Sequence, residues 1–400
     1  MPGSRLSLGL LILALALLPG RGHAQIVLAE GDGVRLGLSG YLRSLTGLHD
    51  LGYAAPGAER RSGFHGEVVR LKWRLEAGRF GLDVHNRLQA RVTSGGADGP
   101  ALGFGVSAIP GRSVDLSSDL LSAPGLRVWH DIDRLSLSLR TSLADITLGR
   151  QPITWGISSL FPVADLWAAF SPFELDTEEK PGVDAARALF YPAEGLEMDA
   201  VVADRGSPEH LSAGIRATWG LPSADVWAGA GKLWDQAMLM GGATLLFDAA
   251  RLQTVFPFDR RPRATLGVDW IRGRGSVTGE AHYNGTGVPD PAEYVQQLQD
   301  PAFRRGESYF LGRYYLGAAG AWAPDEAGRV RLALSALVNA GDGSAALTPI
   351  LDYDLGPATS VSLGGLVSFG ESPAVALPPS LRSEFGAYGD LFFTRVSVYF

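Results

Sequence analysis

Arg70, Lys72 and Arg74 stand at alternate positions in the segment Glu67 to Ala77, and Asp83, His85, Arg87 and Arg91 continue the spacing in the next. Side chains two apart share one face of an extended chain. A row of cations on one face can concentrate and pass anions, but it breaks no bond. Residues that could do covalent chemistry are sparse. The seven histidines include His23, near the N-terminus, and His49, His65, His85, His130, His210 and His282, which are scattered. The chain contains neither a G-x-S-x-G elbow nor an H-E-x-x-H pair. His85 with Asp83 two residues away could orient an imidazole, yet no serine nucleophile accompanies them, so the expected pair is a hydrogen bond in a lumen. The acids Asp165, Glu174, Asp176, Glu178 and Glu179 lack the spacing of a calcium loop and read as a solvated run. No metal, cofactor or catalytic residue is expected, and the absence of cysteine excludes thiolate-ligated zinc and iron–sulfur centres.

Strands must position these cations. Opposite Arg70, Lys72 and Arg74 lie Val69, Leu71, Trp73, Leu75 and Ala77, and Phe80, Leu82, Val84 and Leu88 oppose the second row. Only Gly78-Arg79 separates the two segments, which reads as a hairpin turn. Val34 to Arg43 and Phe392 to Phe400 alternate in the same way. Long connections near 47–65, 94–125, 156–182, 285–306 and 370–383 take turns with short ones near 78–79, 142–144, 192–195, 220–223, 248–250, 273–275, 324–328 and 355–357. Brief turns on one rim and long loops on the other are the pattern of an outer-membrane barrel. The expected fold class is therefore all-β: a transmembrane antiparallel β-barrel of about 18 strands, with 16 the alternative count, short periplasmic turns and long external loops. Its outside would be oily and its bore wet. A dry sandwich core would need a partner for every arginine.

On that reading Arg35, Arg43, Arg70, Lys72, Arg74, Glu76, Asp83, His85, Arg87, Arg91 and Arg140 line the pore, either as a basic ladder that favours anions or paired with acids on inward-folded loops. Trp129, Trp155, Trp219, Trp227, Trp234, Trp270, Trp322 and Tyr399 fall near strand ends and are expected in interfacial girdles. At Gly149 to Gly156 the alternation breaks, since keeping phase turns Arg150 outward and Pro152 cannot donate to a ladder. The segment 161–180, with its prolines and acids, is the candidate for a loop that folds inward.

Residues 1–24 carry Arg5, an apolar run from Leu6 to Leu18 and a small-residue end at Ala24, the order of a secretory signal peptide. The mature domain is then 25–400. Losing Arg5 and Arg21 takes the formal charge from −7 to about −9, the wrong sign for a nucleic-acid binder. No later stretch offers the roughly 18 uninterrupted apolar residues of a spanning helix.

"LGRQPITWG", "LFPVADLW", "SPFELD" and "EEKPGVDAAR", and more weakly the stretch from Arg329 to Gly356, resemble porin-like outer-membrane proteins of Gram-negative bacteria, including the alginate-export-like group. The resemblance covers most of the mature chain. It implies a porin-like barrel, a large anionic solute such as a polysaccharide, and a basic conduit whose matching candidates are Arg70, Lys72, Arg74, Arg87, Arg91 and Arg150. The terminal "RVSVYF" resembles the signal that such barrels present to the barrel assembly machinery, which implies that machinery as a partner through the strand ending at Phe400. Membrane lipid and lipopolysaccharide are the other expected partners. The function expected is passive diffusion of small or anionic solutes across the outer membrane, with an outer-membrane enzyme or a plugged binding scaffold as rivals.

Overall fold

The computed structural model describes residues 26–53, 59–94, 111–168, 170, 173–174, 178–207, 210–245, 250–258, 260–374 and 380–400. The expected signal peptide, much of the 94–125 connection and Asp176 lie outside them. Twenty strands form among the described residues: β1 (Ile26–Gly31), β2 (Val34–Asp50), β3 (Arg61–Ala77), β4 (Phe80–Thr93), β5 (Ser117–Ala123), β6 (Leu126–Arg140), β7 (Ala144–Gln151), β8 (Val183–Ala193), β9 (Leu196–Ala203) and β10 (Ser212–Leu221). The rest are β11 (Ala224–Leu233), β12 (Gln236–Leu245), β13 (Ala250–Pro257), β14 (Arg263–Arg272), β15 (Gly275–Asn284), β16 (Tyr314–Trp322), β17 (Val330–Asn339), β18 (Ala345–Gly356), β19 (Thr359–Phe369) and β20 (Asp390–Tyr399).

Eighteen of these close a ring in which neighbours run antiparallel and β20 returns onto β2, so the expected fold is present. The other two fill steps in its wall. β1 pairs with Val34 to Leu38 of β2, on the edge that β20 takes from Tyr41 upward. It turns through Asp32 and Gly33, both at positive φ (50° and 79°), as a two-residue hairpin requires. β5 lies along Leu126 to Asp131 of β6, above the point where β7 stops pairing. Neither short strand is legible in the period-two pattern.

Seven of the eight short connections expected from the sequence fall on one rim, and most of the eighth, 248–250, lies outside the described residues. The long ones fall on the other, together with brief connections such as Trp234-Asp235. The outer surface is apolar: Leu88, Leu137, Leu148, Ile215, Leu266, Leu316 and Leu334 are all exposed. No helix among the described residues is long and apolar enough to cross a membrane.

The aromatic girdle is narrower than expected. Trp219, Trp270 and Trp322 are exposed, and each lies toward the short-turn end of its strand. Trp155, Trp227 and Trp234 are instead buried in the interior, Trp129 hydrogen-bonds Gln89, and Tyr399 meets Arg43 and Glu178. Strand-end position does not tell which face an indole takes.

A second correction concerns the bore. Over β9 to β13 the inner face carries Val201, Ala203, Trp227, Leu233, Met238, Met240 and Val255, packed against Ile153, Trp155, Val163, Leu166 and Trp167 of the 152–182 connection. Part of the lumen wall is thus dry. Its pattern escapes the rule of oil outside and charge inside because an inserted segment supplies the inner apolar partner.

Candidate functional site

Strand register stacks the predicted cations on one inner wall. Tyr41, Arg70, Arg87 and Asp131 form one rung across β2, β3, β4 and β6, and Ser39, Lys72, His85 and Arg134 form the next. Gly37, Arg74, Asp83 and Ser136 follow, then Arg35 and Glu76 toward the short-turn rim. Leu45, Gly66, Arg91 and Arg127 lie above, toward the long loops, and Arg140 ends β6 below.

Most of these cations are paired. Arg70 meets Asp133 at 2.6 Å with both side chains 1% exposed. Arg87 and Arg112 share Asp131 at 3.3 and 3.0 Å, and Arg74 binds Asp83 at 2.8 Å. Arg43 bonds Glu178, while Lys72 and Arg134 both reach Glu179. The wall is thus a paired one and not a bare ladder: Arg43, Lys72 and Arg134 meet acids of the inward-folded segment, while Arg70, Arg87 and Arg74 meet acids of β6 and β4. Arg35, Arg91 and Arg140 have no carboxylate partner among the described residues. His85 and Asp83 do not pair, since Asp83 is held by Arg74.

Arg150 follows the expected break. By register it opposes the outward Leu135, but Gly149, at φ +106°, bends the strand just before it. A Cβ on Gly149 would stand 2.3 Å from the Leu135 carbonyl, so only glycine fits. The Arg150 guanidinium, 2% exposed, then grips Asp184 at 2.7 Å and the Ile132 carbonyl at 2.8 Å.

The 152–182 connection crosses the lumen. Trp155 donates to Asp199 at 2.7 Å and meets Trp167 edge-on at 5.1 Å. On the far wall Glu280 accepts the backbone N–H groups of Ser159, Leu160 and Phe161 at 2.8–3.1 Å. Arg251 donates to the Ile157 carbonyl, and Phe161 stacks on His282 at 5.0 Å. The segment returns through the Asp165–Lys180 pair, where burial pushes the carboxyl up and the amine down. It ends at Glu178 and Glu179 against the cationic wall. Burial would raise Glu179, but Lys72 and Arg70 hold it below the usual carboxylate range. Glu178 and Glu179 of this segment thus add counter-charges to those that the strands supply. Among the described residues no group of three or more metal-ligating side chains gathers.

Between this segment and the wall of β2, β3, β4 and β6 lies a half-open cavity of about 740 Å³. Arg43, Arg70, Arg87, Arg91, Arg127 and Arg395 line it against Glu67, Asp119, Glu174 and Glu179, with Phe64, Trp129 and Phe170 between. Gln89 accepts from Trp129 at 3.0 Å and from Arg87 at 2.9 Å, an amide orientation assigned from its neighbours. Arg395 comes from the last strand, where alternation with Phe392, Val396 and Val398 sets it on the inner face, but only ring closure brings it to this cavity. Asp131, Asp133 and Arg134 were also missed. An extra residue in β6, opposite His85 and Asn86, shifts their phase.

No protein-family model and no curated protein matches the chain in sequence. Solved structures do match in fold. OccAB2 of Acinetobacter baumannii superposes with a TM-score of 0.58 at 10% identity, covering 93% of this chain and 99% of that one. OccK9 (OpdG) of Pseudomonas aeruginosa gives 0.54 at 14%, covering 91% and 97%. A BenF-like porin from Pseudomonas fluorescens Pf-5 gives 0.54 at 11%, covering 91% and 98%. The alginate-export resemblance finds no support among these matches. What the chain shares with them is a closed antiparallel barrel of 18 strands.

Proposed function

We propose that the chain is a passive channel of the outer membrane, taking small anionic solutes through a bore narrowed by the 152–182 segment. The carrying observation is the cavity beside that segment, lined by six arginines, where Arg91, with no carboxylate partner among the described residues, adds positive charge to a wall of paired cations. A surplus of fixed positive charge between low-dielectric walls raises the local concentration of anions. The apolar outer surface and the closed edge suit a lipid surround, and a neighbour in fold is described as a porin. Lipid and lipopolysaccharide would then surround the wall, and the assembly machinery would engage the strand ending at Phe400. A polysaccharide cargo has no support, since the transverse segment occupies the interior and no comparison points to one. Passive transport needs no cofactor and no nucleophile.

Planar-bilayer recording tests this. Under a salt gradient the reversal potential should show anion preference, and Arg91→Ala with Arg395→Ala should move it toward cations. Absence of conductance steps, or a cation preference unmoved by those changes, overturns the proposal.

A further inference from the structure

On the wall opposite the cationic rungs, the connection after β9, the start of β14 and the 285–313 connection meet around one carboxylate. Glu307, 4% exposed, accepts from Arg305 at 2.6 Å, and its backbone carbonyl accepts from Arg263. The same carboxylate is the counter-charge felt by Arg205 and Arg263. Both arginines are almost fully enclosed. Arg205 donates to the Trp167 carbonyl at 3.1 Å, while among the described residues its Nε and Nη2 have no partner, and neither has the Nε of Arg263. The Arg205 guanidinium lies 5.7 Å from the Trp167 ring and 5.0 Å from Trp234, which Arg305 also faces at 5.0 Å. Aromatic faces attract a cation but leave its in-plane N–H groups unsatisfied. Asp300 is taken by Arg260 at 3.0 Å.

Among the described residues, three guanidiniums face one carboxylate, which leaves two positive charges without a counter-charge on side chains mostly shut off from solvent, a costly arrangement unless answered. Beside Arg263, between Glu307, His282, Phe161 and Phe310, is a cavity of about 30 Å³, more than the roughly 10–15 Å³ that one water needs. Water would satisfy a donor and leave the charge. An anion does both. We propose that this cavity holds a small inorganic anion of halide size against Arg263, a structural ion that ties the three connections together, separate from the solute path.

Crystals of the full chain grown in bromide should show an anomalous peak beside Arg263. In detergent, the thermal midpoint should rise and saturate as chloride or bromide replaces gluconate at constant ionic strength. Arg263→Gln should weaken that dependence at least tenfold in halide concentration, while Arg331→Gln, on the exposed flank of β17, should leave it unchanged. A midpoint indifferent to halide, an equal rise with sulfate, or bromide absent from the cavity overturns the proposal. The bromide measurement needs no variant, so it stands even if a substituted chain fails to fold.

Discussion

Arg70 shows how an enclosed cation is tolerated in this wall. Its guanidinium meets Asp133 at 2.6 Å with both side chains shut off from solvent, and it also faces the Tyr41 ring at 5.8 Å. Removing one member of such a pair strands the other, which costs about 3–5 kcal/mol. Asp133→Ala should therefore lower unfolding stability by that amount in a urea titration, and the double change Arg70→Met with Asp133→Leu should recover most of it. The half-exposed Arg74–Asp83 pair is a different case, for which Asp83→Ala should cost about 1 kcal/mol or less. The cations of these pairs were legible in the sequence because alternation in β2 to β4 is unbroken. Asp133 was not, since the extra residue in β6 puts it out of phase. Arg150 was legible as an anomaly: the pattern turned it outward, the charge forbade that, and Gly149 resolves the conflict.

At the scale of elements, the transverse segment hangs on Glu280. One carboxylate there accepts three consecutive backbone N–H groups and a guanidinium. Glu280→Ala should free that end of the segment, and single-channel records should then show larger and more frequent current fluctuations without loss of the barrel. The long-loop rim has a comparable fastening. Glu384 accepts from the Leu311 amide at 3.0 Å, from Asn339 at 2.8 Å and from Tyr315, and its own amide donates to Asp342 at 2.8 Å, joining the 285–313, 340–344 and 370–389 connections. Burial pushes its carboxyl from 4.5 up to about 7. Folding thus favours the protonated form. The stability it contributes is full below pH 4.5 or so and is lost as pH rises through about 7. Hydrogen exchange in these connections should be slower at pH 5.5 than at pH 8, and Glu384→Gln should flatten that difference. An inward-folding 161–180 segment was legible from its prolines and its acids. Its landing points were not, because they lie 120 residues further along the chain.

The whole molecule is held by closure. Gly40 and Phe400 exchange backbone hydrogen bonds at 2.8 and 3.0 Å where the last strand meets the first ring strand. Deleting Phe400 removes both bonds, and the proposed assembly signal with them. Heat-modifiable mobility on gels of whole-cell membranes should reveal a smaller folded fraction. Period-two alternation made the ring and its two rims legible, because the strand period is insensitive to what each face touches. It could not distinguish a wet inner wall from a dry one: Met238, Met240 and Val255 face inward onto Trp155 and Trp167, and only the fold reveals what they meet.

Glu178 and Glu179 answer Arg43 and Lys72 from a connecting segment, not from the sheet. A permeating carboxylate would therefore find those seats occupied by resident competitors, leashed nearby at an effective concentration in the millimolar range or above. In the proposed channel each step inward would be an exchange of one acid for another. Dwell times should then stay short, and flux should keep rising with solute concentration well past the point where bare arginines would saturate.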